Sequence, residues 1–538
     1  MATPLWDEKK IQAQVLAKAM NLIPFTDALE TLYQMQSEYE SERLLTQTQL
    51  AQQQSRIDAL EAQLQGYLAT TTDVQVSVDK SVPLLTTNFS TSVAMIENPP
   101  LWSLPSWGTI RESLAQCCDV FKYHIFPFGL IDPWLEGESE PNFQRGQGLG
   151  NAFSRFREIQ AYNPQAKILL TLYGAPWWMK SVMFKGVSTP LTSADAYSDD
   201  GRVTQGALPR WLTLVDKAVR LAVAYGCTDF EIWNEVKGWY ATPNNQARTW
   251  DARYAPGTGV NGDMGFSYFH EQTANRVVQT MTALGFSRNQ YRIAAPYIPM
   301  PTRGSANADS IPSTHPLYAF REKWGYMNIQ PVKFLVEFFQ QVALHKLPLD
   351  MIALDLSAGT TDGVYPNLNP FNYSSKLADI VQYARNELNL AGLPESLPFI
   401  ISEHYEPPPG ELDNSDSEPL RSAMWADAMR VSMLSGVLYT VPWGASSPVQ
   451  GKYPQLSALI NKTTGELRMT GRVFSLFKKH FPPGTKLVKT VMAGKDFQTL
   501  ASAEWTMLFN QSGQPRKVLV GTKIYDMLPY ETSVVGTE

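Results

Sequence analysis

Thr228-Asp229-Phe230-Glu231-Ile232-Trp233-Asn234-Glu235 is the stretch whose reading decides the fold. It follows the Gly226-Cys227 break, is mostly apolar or aromatic, and runs into Val236-Lys237-Gly238-Trp239-Tyr240. Such a run reads as a short buried strand that delivers an amide, Asn234, and a carboxyl, Glu235, side by side. A helical segment, Leu208 to Tyr225, leads into it, and the helical Gly265 to Leu284 leads on to the apolar Tyr291 to Tyr297. The same alternation extends in both directions. Upstream, Ile110 to Cys118 precedes Val120 to Phe126, and Ala152 to Gln160 precedes Ile168 to Tyr173. Downstream, Pro331 to His345 leads to Leu349 to Leu356, Lys376 to Leu390 to Pro398 to Glu403, and Leu420 to Ser435 to Val437 to Trp443.

Near-continuous apolar strands between long helices mean a parallel sheet covered on both faces. With a first strand near Leu84 to Phe89 there are eight. This predicts an α/β chain with a closed (β/α)8 TIM barrel over residues 71–446. An open doubly wound sheet is disfavoured, because no Gly-rich dinucleotide loop follows the first strand. Gly146-Gln147-Gly148-Leu149-Gly150 follows polar Asn142 to Arg145 and reads as a loop.

The two ends differ from this middle. Over residues 447–538 one helix (Ser457 to Lys479) precedes short β-like runs from Lys486 onward, which predicts a C-terminal β-sandwich-type domain. Residues 1–70 form a helical segment. From Asp27 to Tyr67 a heptad register places Leu50, Ile57 and Leu64 at a, and Leu60 and Tyr67 at d, a coiled-coil seam with a polar middle. A polar helix that long either self-associates or packs on a partner, so a homo-oligomer is expected.

Composition narrows the chemistry. The 538 residues carry a net charge of −6 and no dense Lys/Arg run, which argues against nucleic acid as a partner. No stretch approaches the ~20 apolar residues of a membrane span, and no basic, then apolar, leader opens the sequence. Cys117, Cys118 and Cys227 read as reduced core residues. The six histidines show no metal-ligand spacing, so neither metal nor other cofactor is expected.

If the strand count holds, Glu235 ends the fourth strand and Glu403 the seventh, and both enter one barrel mouth. A carboxyl beside indole and tyrosine rings is desolvated and can hold a proton near neutral pH. Two carboxyls in one mouth, one protonated and one ionised, suit cleavage of a glycosidic bond; their separation is what decides between retention and inversion. Strand ends also carry Trp177, Trp178, Trp239, Tyr297, Tyr405 and Trp443, flat rings that suit sugar faces. Singly, each is as readily a core filler; together at strand ends they favour a carbohydrate groove.

Phe230 to Glu235 resembles the acid/base motif of clan A glycoside hydrolases, especially family 39. The segment Gly174-Ala175-Pro176-Trp177-Trp178-Met179-Lys180 is similar to the third-strand region of families 39 and 30, and Ile401 to Tyr405 resembles the nucleophile strand. The resemblance implies a retaining hydrolase acting on a polysaccharide or cell-surface glycan. Glu235 would be its acid/base, Glu403 its nucleophile, Asn234 the contact to a 2-hydroxyl, and Trp443 the floor under the reacting sugar. Three positions depart from the pattern: Val236 where a proline is usual, Lys122-Tyr123-His124 where an arginine supports the nucleophile, and Asp355-Leu356-Ser357 in place of His-x-Tyr. A catalytically inactive carbohydrate-binding or structural barrel is the alternative. A coiled coil ahead of such a barrel looks like a virion-attached phage-tail glycosidase, with other virion proteins as partners; a cytoplasmic enzyme is the plainer setting. Deleting residues 1–70 is expected to reduce the mass in solution to that of a monomer, measured by light scattering; an unchanged oligomer would refute the seam.

Overall fold

The computed structural model describes residues 34, 53–59, 62, 72–94, 96–97, 100–126, 130–184, 187–190, 192, 201–236, 238–239, 251–257, 264–300, 311–320, 329–357, 371–405, 418–445 and 458–537. Of the expected N-terminal helix, residues 34, 53–59 and 62 are helical; the rest of that segment, and with it the coiled-coil seam, lies outside the described residues.

Eight parallel strands close into a barrel. In chain order they are Ser90–Ala94, Val120–His124, Lys167–Leu172, Asp229–Ile232, Arg292–Pro299, Met351–Ser357, Phe399–Tyr405 and Val437–Pro442. Seven match the sequence reading within a few residues. The first does not: it begins at Ser90, beyond the expected Leu84 to Phe89. The reason is that Val74–Thr87 is a separate, longer strand belonging to a second sheet. Its outer residues, Val82 and Leu84, are exposed, whereas all five residues of Ser90–Ala94 are buried, as a barrel strand demands.

Side chains alternate across the barrel wall. Ala94, Val120, Leu169, Ala294, Met351, Ala353, Ile400 and Val441 fill the interior. Their neighbours Val93, Phe121, Ile168, Leu170, Phe230, Ile293, Ile352, Phe399 and Ile401 face the helices. Helix Leu208–Val223 illustrates the outer layer: Trp211, Leu214, Val215, Ala218, Val219 and Ala222 recur at three- and four-residue spacing and are all buried. At the N-terminal end of the barrel, Arg292 grips Asp229 through two hydrogen bonds of 2.8 and 2.7 Å, and Tyr439 donates to the same carboxylate at 2.5 Å. Burial pushes the Asp229 carboxyl up, but these contacts outweigh it and hold it below the usual range.

The expected sandwich is instead one seven-stranded mixed sheet, ordered Lys523–Met527, Arg516–Val520, Val74–Thr87, Thr485–Ala493, Phe497–Ser502, Trp505–Asn510 and Thr532–Gly536. Val74 pairs in parallel with Val518, whereas the strands from Thr485 to Asn510 and Thr532–Gly536 pair antiparallel. All three cysteines are free and buried.

After the third barrel strand the chain turns at Gly174, with φ +98°. A Cβ there would sit 0.9 Å from the Phe126 carbonyl oxygen. Gly174→Ala is therefore expected to lower the unfolding free energy by about 3 kcal/mol or more, measured by denaturant titration. Gly206→Ala, which meets nothing within 4 Å, should change it by no more than about 1 kcal/mol.

Candidate active site

A barrel's chemistry sits at the C-terminal ends of its strands, and three backbone irregularities gather there. The fourth strand stops at Ile232, so the quoted octet is not strand to its end. Trp233, Glu235 and Val236 instead adopt positive φ of 67°, 46° and 44°. For non-glycine residues this is strained, and most so for β-branched Val236. Proline, fixed near −65°, has no access to the conformation of Val236.

On the fifth strand Tyr297, also at positive φ (44°), is an extra residue in the pairing with the sixth, where Ala353 faces Pro296 and Leu354 faces Ile298. On the seventh, Ser402 is the extra residue: Leu354 pairs with Ile401 and Asp355 with Glu403. Each bulge breaks the alternation, so that two consecutive side chains serve the interior.

Those bulges bring together the functional groups. Tyr297 donates its hydroxyl to Glu403 Oε2. The Lys122 ammonium lies 3.9 Å from the centre of the Tyr297 ring. From the second strand it donates to the Ser402 carbonyl at 2.9 Å and to Ser402 Oγ at 2.6 Å, and pairs with Glu231 Oε2 at 3.0 Å. Glu231 also accepts from Thr171 at 2.7 Å and from the Ser402 hydroxyl. Both charges of the Lys122–Glu231 pair are fully buried. Four strands are thereby tied across the interior directly beneath Glu403.

Glu235 and Glu403 both act electrostatically on Tyr297 and on Asp355, which puts the two carboxyls in one site. Burial, and then Glu403, pushes the Tyr297 hydroxyl well above its ordinary value, so it stays a proton donor. Asn234 is 1% exposed and neither of its amide atoms has a hydrogen-bond partner. A buried amide in that state is available to a ligand or to water.

The aromatic residues divide. Trp443 is half-buried, packs on the barrel interior and meets the His124 ring edge-on at 5.8 Å. Trp177 is half-buried. Trp178 donates its indole N–H to the Trp134 carbonyl, stacks edge-on with Trp134 and lies under Arg210. Trp239 is wholly buried among Trp233, Phe266 and Phe269. Tyr405 ends the seventh strand, opposite Ser357.

Several site groups went unassigned from the sequence. Lys122 and Glu231 were there to be found: each is a charge inside an otherwise apolar strand, which requires a buried partner. Glu97, just after the first strand, is also buried, with no hydrogen-bond partner for either carboxyl oxygen. Burial pushes it up to about 8, against the backbone and Lys122, and the His124 ring nitrogen is 4.0 Å away.

No protein-family model and no curated protein matches the sequence. Solved structures do match. Endo-beta1,6-glucanase BT3312 aligns over 86% of this chain and 93% of its own at 13% identity, with a TM-score of 0.52. SrfJ from Salmonella typhimurium aligns over 86% and 92% at 10% identity, TM-score 0.51. A GH30 endoxylanase from Clostridium papyrosolvens C71 aligns over 86% and 100% at 11% identity, TM-score 0.49. The likeness is distant and lies in the fold, a barrel similar to those of glycoside hydrolases.

Lys122→Met would strand Glu231 as an unpaired buried charge. It is expected to destabilise the protein by about 3–5 kcal/mol, and Lys122→Met/Glu231→Leu to recover at least half of that, measured by denaturant unfolding.

Proposed function

We propose that this protein is a retaining glycoside hydrolase, family 39-like, that cleaves a polysaccharide or cell-surface glycan. The observation that carries the reading is the pair of carboxyls, Glu235 and Glu403, in one mouth beside the unpartnered amide of Asn234.

In the first step Glu235 gives its proton to the glycosidic oxygen while a Glu403 oxygen attacks the anomeric carbon. The bond to the leaving sugar breaks, and a glycosyl ester forms on Glu403. In the second, Glu235, now ionised, takes a proton from water, and that water displaces Glu403. The Tyr297 hydroxyl, aimed at Glu403, stabilises its negative charge before attack and as it leaves. Lys122 takes the place of the supporting arginine of the family, acting through Ser402 and the Tyr297 ring. Asn234 holds the 2-hydroxyl and Trp443 the face of the reacting sugar; Trp177 and Tyr405 extend the groove. Trp178 and Trp239 support the walls, since their faces or edges are taken by neighbouring side chains. Residues 1–70 oligomerise the enzyme and, in a virion setting, attach it to other virion proteins.

The test is reducing-sugar release from a panel of bacterial exopolysaccharides, capsules and plant xylans. Wild type is expected to cleave one of them, and Glu235→Gln and Glu403→Gln to lose activity by about 10²-fold or more while remaining folded. Variants as active as wild type would displace the site; binding without cleavage would make the barrel a recognition module.

A further inference from the structure

Glu97 has no part in the double displacement above, yet its buried carboxyl stands over the barrel interior. It follows the first strand, in the turn that pairs it with Pro100. Alternation along the second strand fixes what it faces. Val120 fills the interior while Phe121 and Tyr123 face the helices, so Lys122 and His124 point inward, with His124 at the strand's C-terminal end. The Glu97 Oε1 atom lies 4.0 Å from His124 Nδ1. The His124 ring in turn meets Tyr173 edge-on at 6.2 Å and Trp443 at 5.8 Å. The carboxyl therefore belongs to the same mouth as Trp443, which is half-buried, so this side of the mouth reaches solvent.

Among the described residues neither oxygen of that carboxyl has a hydrogen-bond partner. Lys122 is the cation that acts on it, but its ammonium is committed to Ser402 and Glu231. A buried carboxyl in this state costs the fold free energy unless something else meets it. The 4.0 Å gap to His124 is too long for a hydrogen bond and has room for one oxygen atom. An oxygen about 2.8 Å from each group would subtend an angle of about 90° between them, which a hydroxyl accommodates. The second carboxyl oxygen is left for a second donor. Two hydroxyls on neighbouring carbons of a sugar ring are spaced to meet both oxygens of one carboxyl.

We propose that Glu97 is a specificity-determining residue that binds the 3- and 4-hydroxyls of the sugar lying on Trp443, with His124 sharing one of them. The choice of these two positions rests on the glycosidase reading, in which Asn234 takes the 2-hydroxyl and the bond at carbon 1 is broken. Positions 3 and 4 are the neighbouring ring pair that remains. A linkage at either would occupy a hydroxyl that Glu97 needs and would press a further sugar against a buried carboxyl. A substrate class follows. The protein removes terminal sugars or cuts chains linked through carbon 6, and it leaves the interior of 1,3- and 1,4-linked chains intact.

The first test needs no cleavage. Binding of D-glucose, D-galactose, D-mannose and D-xylose to the full-length protein is measured by calorimetry, beside the 3-deoxy and 4-deoxy forms of the sugar that binds most tightly. Either deoxygenation is expected to weaken binding by about tenfold or more. Glu97→Gln is expected to weaken the parent sugar and to bind parent and deoxy forms alike. Deoxy sugars bound as tightly as the parent, or no binding of any of the four, would overturn the proposal. So would a Glu97→Gln protein that weakens parent and deoxy forms equally, since that is the mark of a merely structural glutamate. The deoxy comparison uses the wild type, so a variant that fails to fold leaves the test in force. The second test is product analysis on the cleaved glycan: internal cuts within a 1,3- or 1,4-linked chain would sink the Glu97 assignment and leave the hydrolase standing. A Glu235→Gln enzyme as active as wild type would displace the hydrolase reading instead, and the sugar-binding result would stand by itself.

Discussion

The Lys122–Glu231 pair is the constraint on which the mouth of this barrel depends. Two opposite charges with no solvent exposure are tolerable only if every remaining donor and acceptor is met. Here Ser402 and Thr171 meet them, so the second, third, fourth and seventh strands are held by a single polar knot. Directly above it stand the bulge that turns Glu403 inward and the Tyr297 ring that caps the ammonium. Strength is not what the pair supplies, because an apolar core of equal volume would serve as well or better. What it supplies is position: the knot has one arrangement that satisfies all its members, and the strand that carries Glu403 is part of it.

The opposite end of the barrel is closed by Asp229, Arg292 and Tyr439, and the contrast is informative. There the carboxylate is matched by a bidentate guanidinium and remains ionised. At the C-terminal end of the strands Glu97 and Asp355 are buried, and burial pushes both carboxyls upward. One barrel thus shifts its buried carboxyls in opposite directions by neighbourhood alone.

Much of this was legible from the order of residues. Helix–strand alternation located seven of the eight barrel strands because each is buried on both faces and so reads as an unbroken apolar run. The first strand was misplaced because Val82 to Phe89 is as β-prone as Ser90–Ala94, and only pairing decides which of two adjacent strands enters which sheet. The single mixed sheet escaped notice for a related reason: one of its strands lies more than four hundred residues from its partner. At the site, Glu235, Glu403 and Asn234 stood out by sitting at strand ends. Trp239 looked the same from the sequence but is core, since a tryptophan is equally suited to a groove and to a gap between helices. Nothing local marks Tyr297 or Ser402 as bulged; that follows from registers with neighbouring strands, which no single segment encodes.

The pairing of Val74 with Val518 has a consequence for how the chain is made. A ribosome releases the residues of the whole barrel before Val518 exists, so the barrel can close while the strand that precedes it still lacks its neighbour. During that interval Val74–Thr87 presents an open edge, the kind of surface on which nascent chains pair with one another. Alternating charges and polar groups at Asp79, Lys80 and Ser81 in the middle of that strand are well placed to keep it from doing so. Synthesis of this protein therefore has a vulnerable period whose length is set by translation speed.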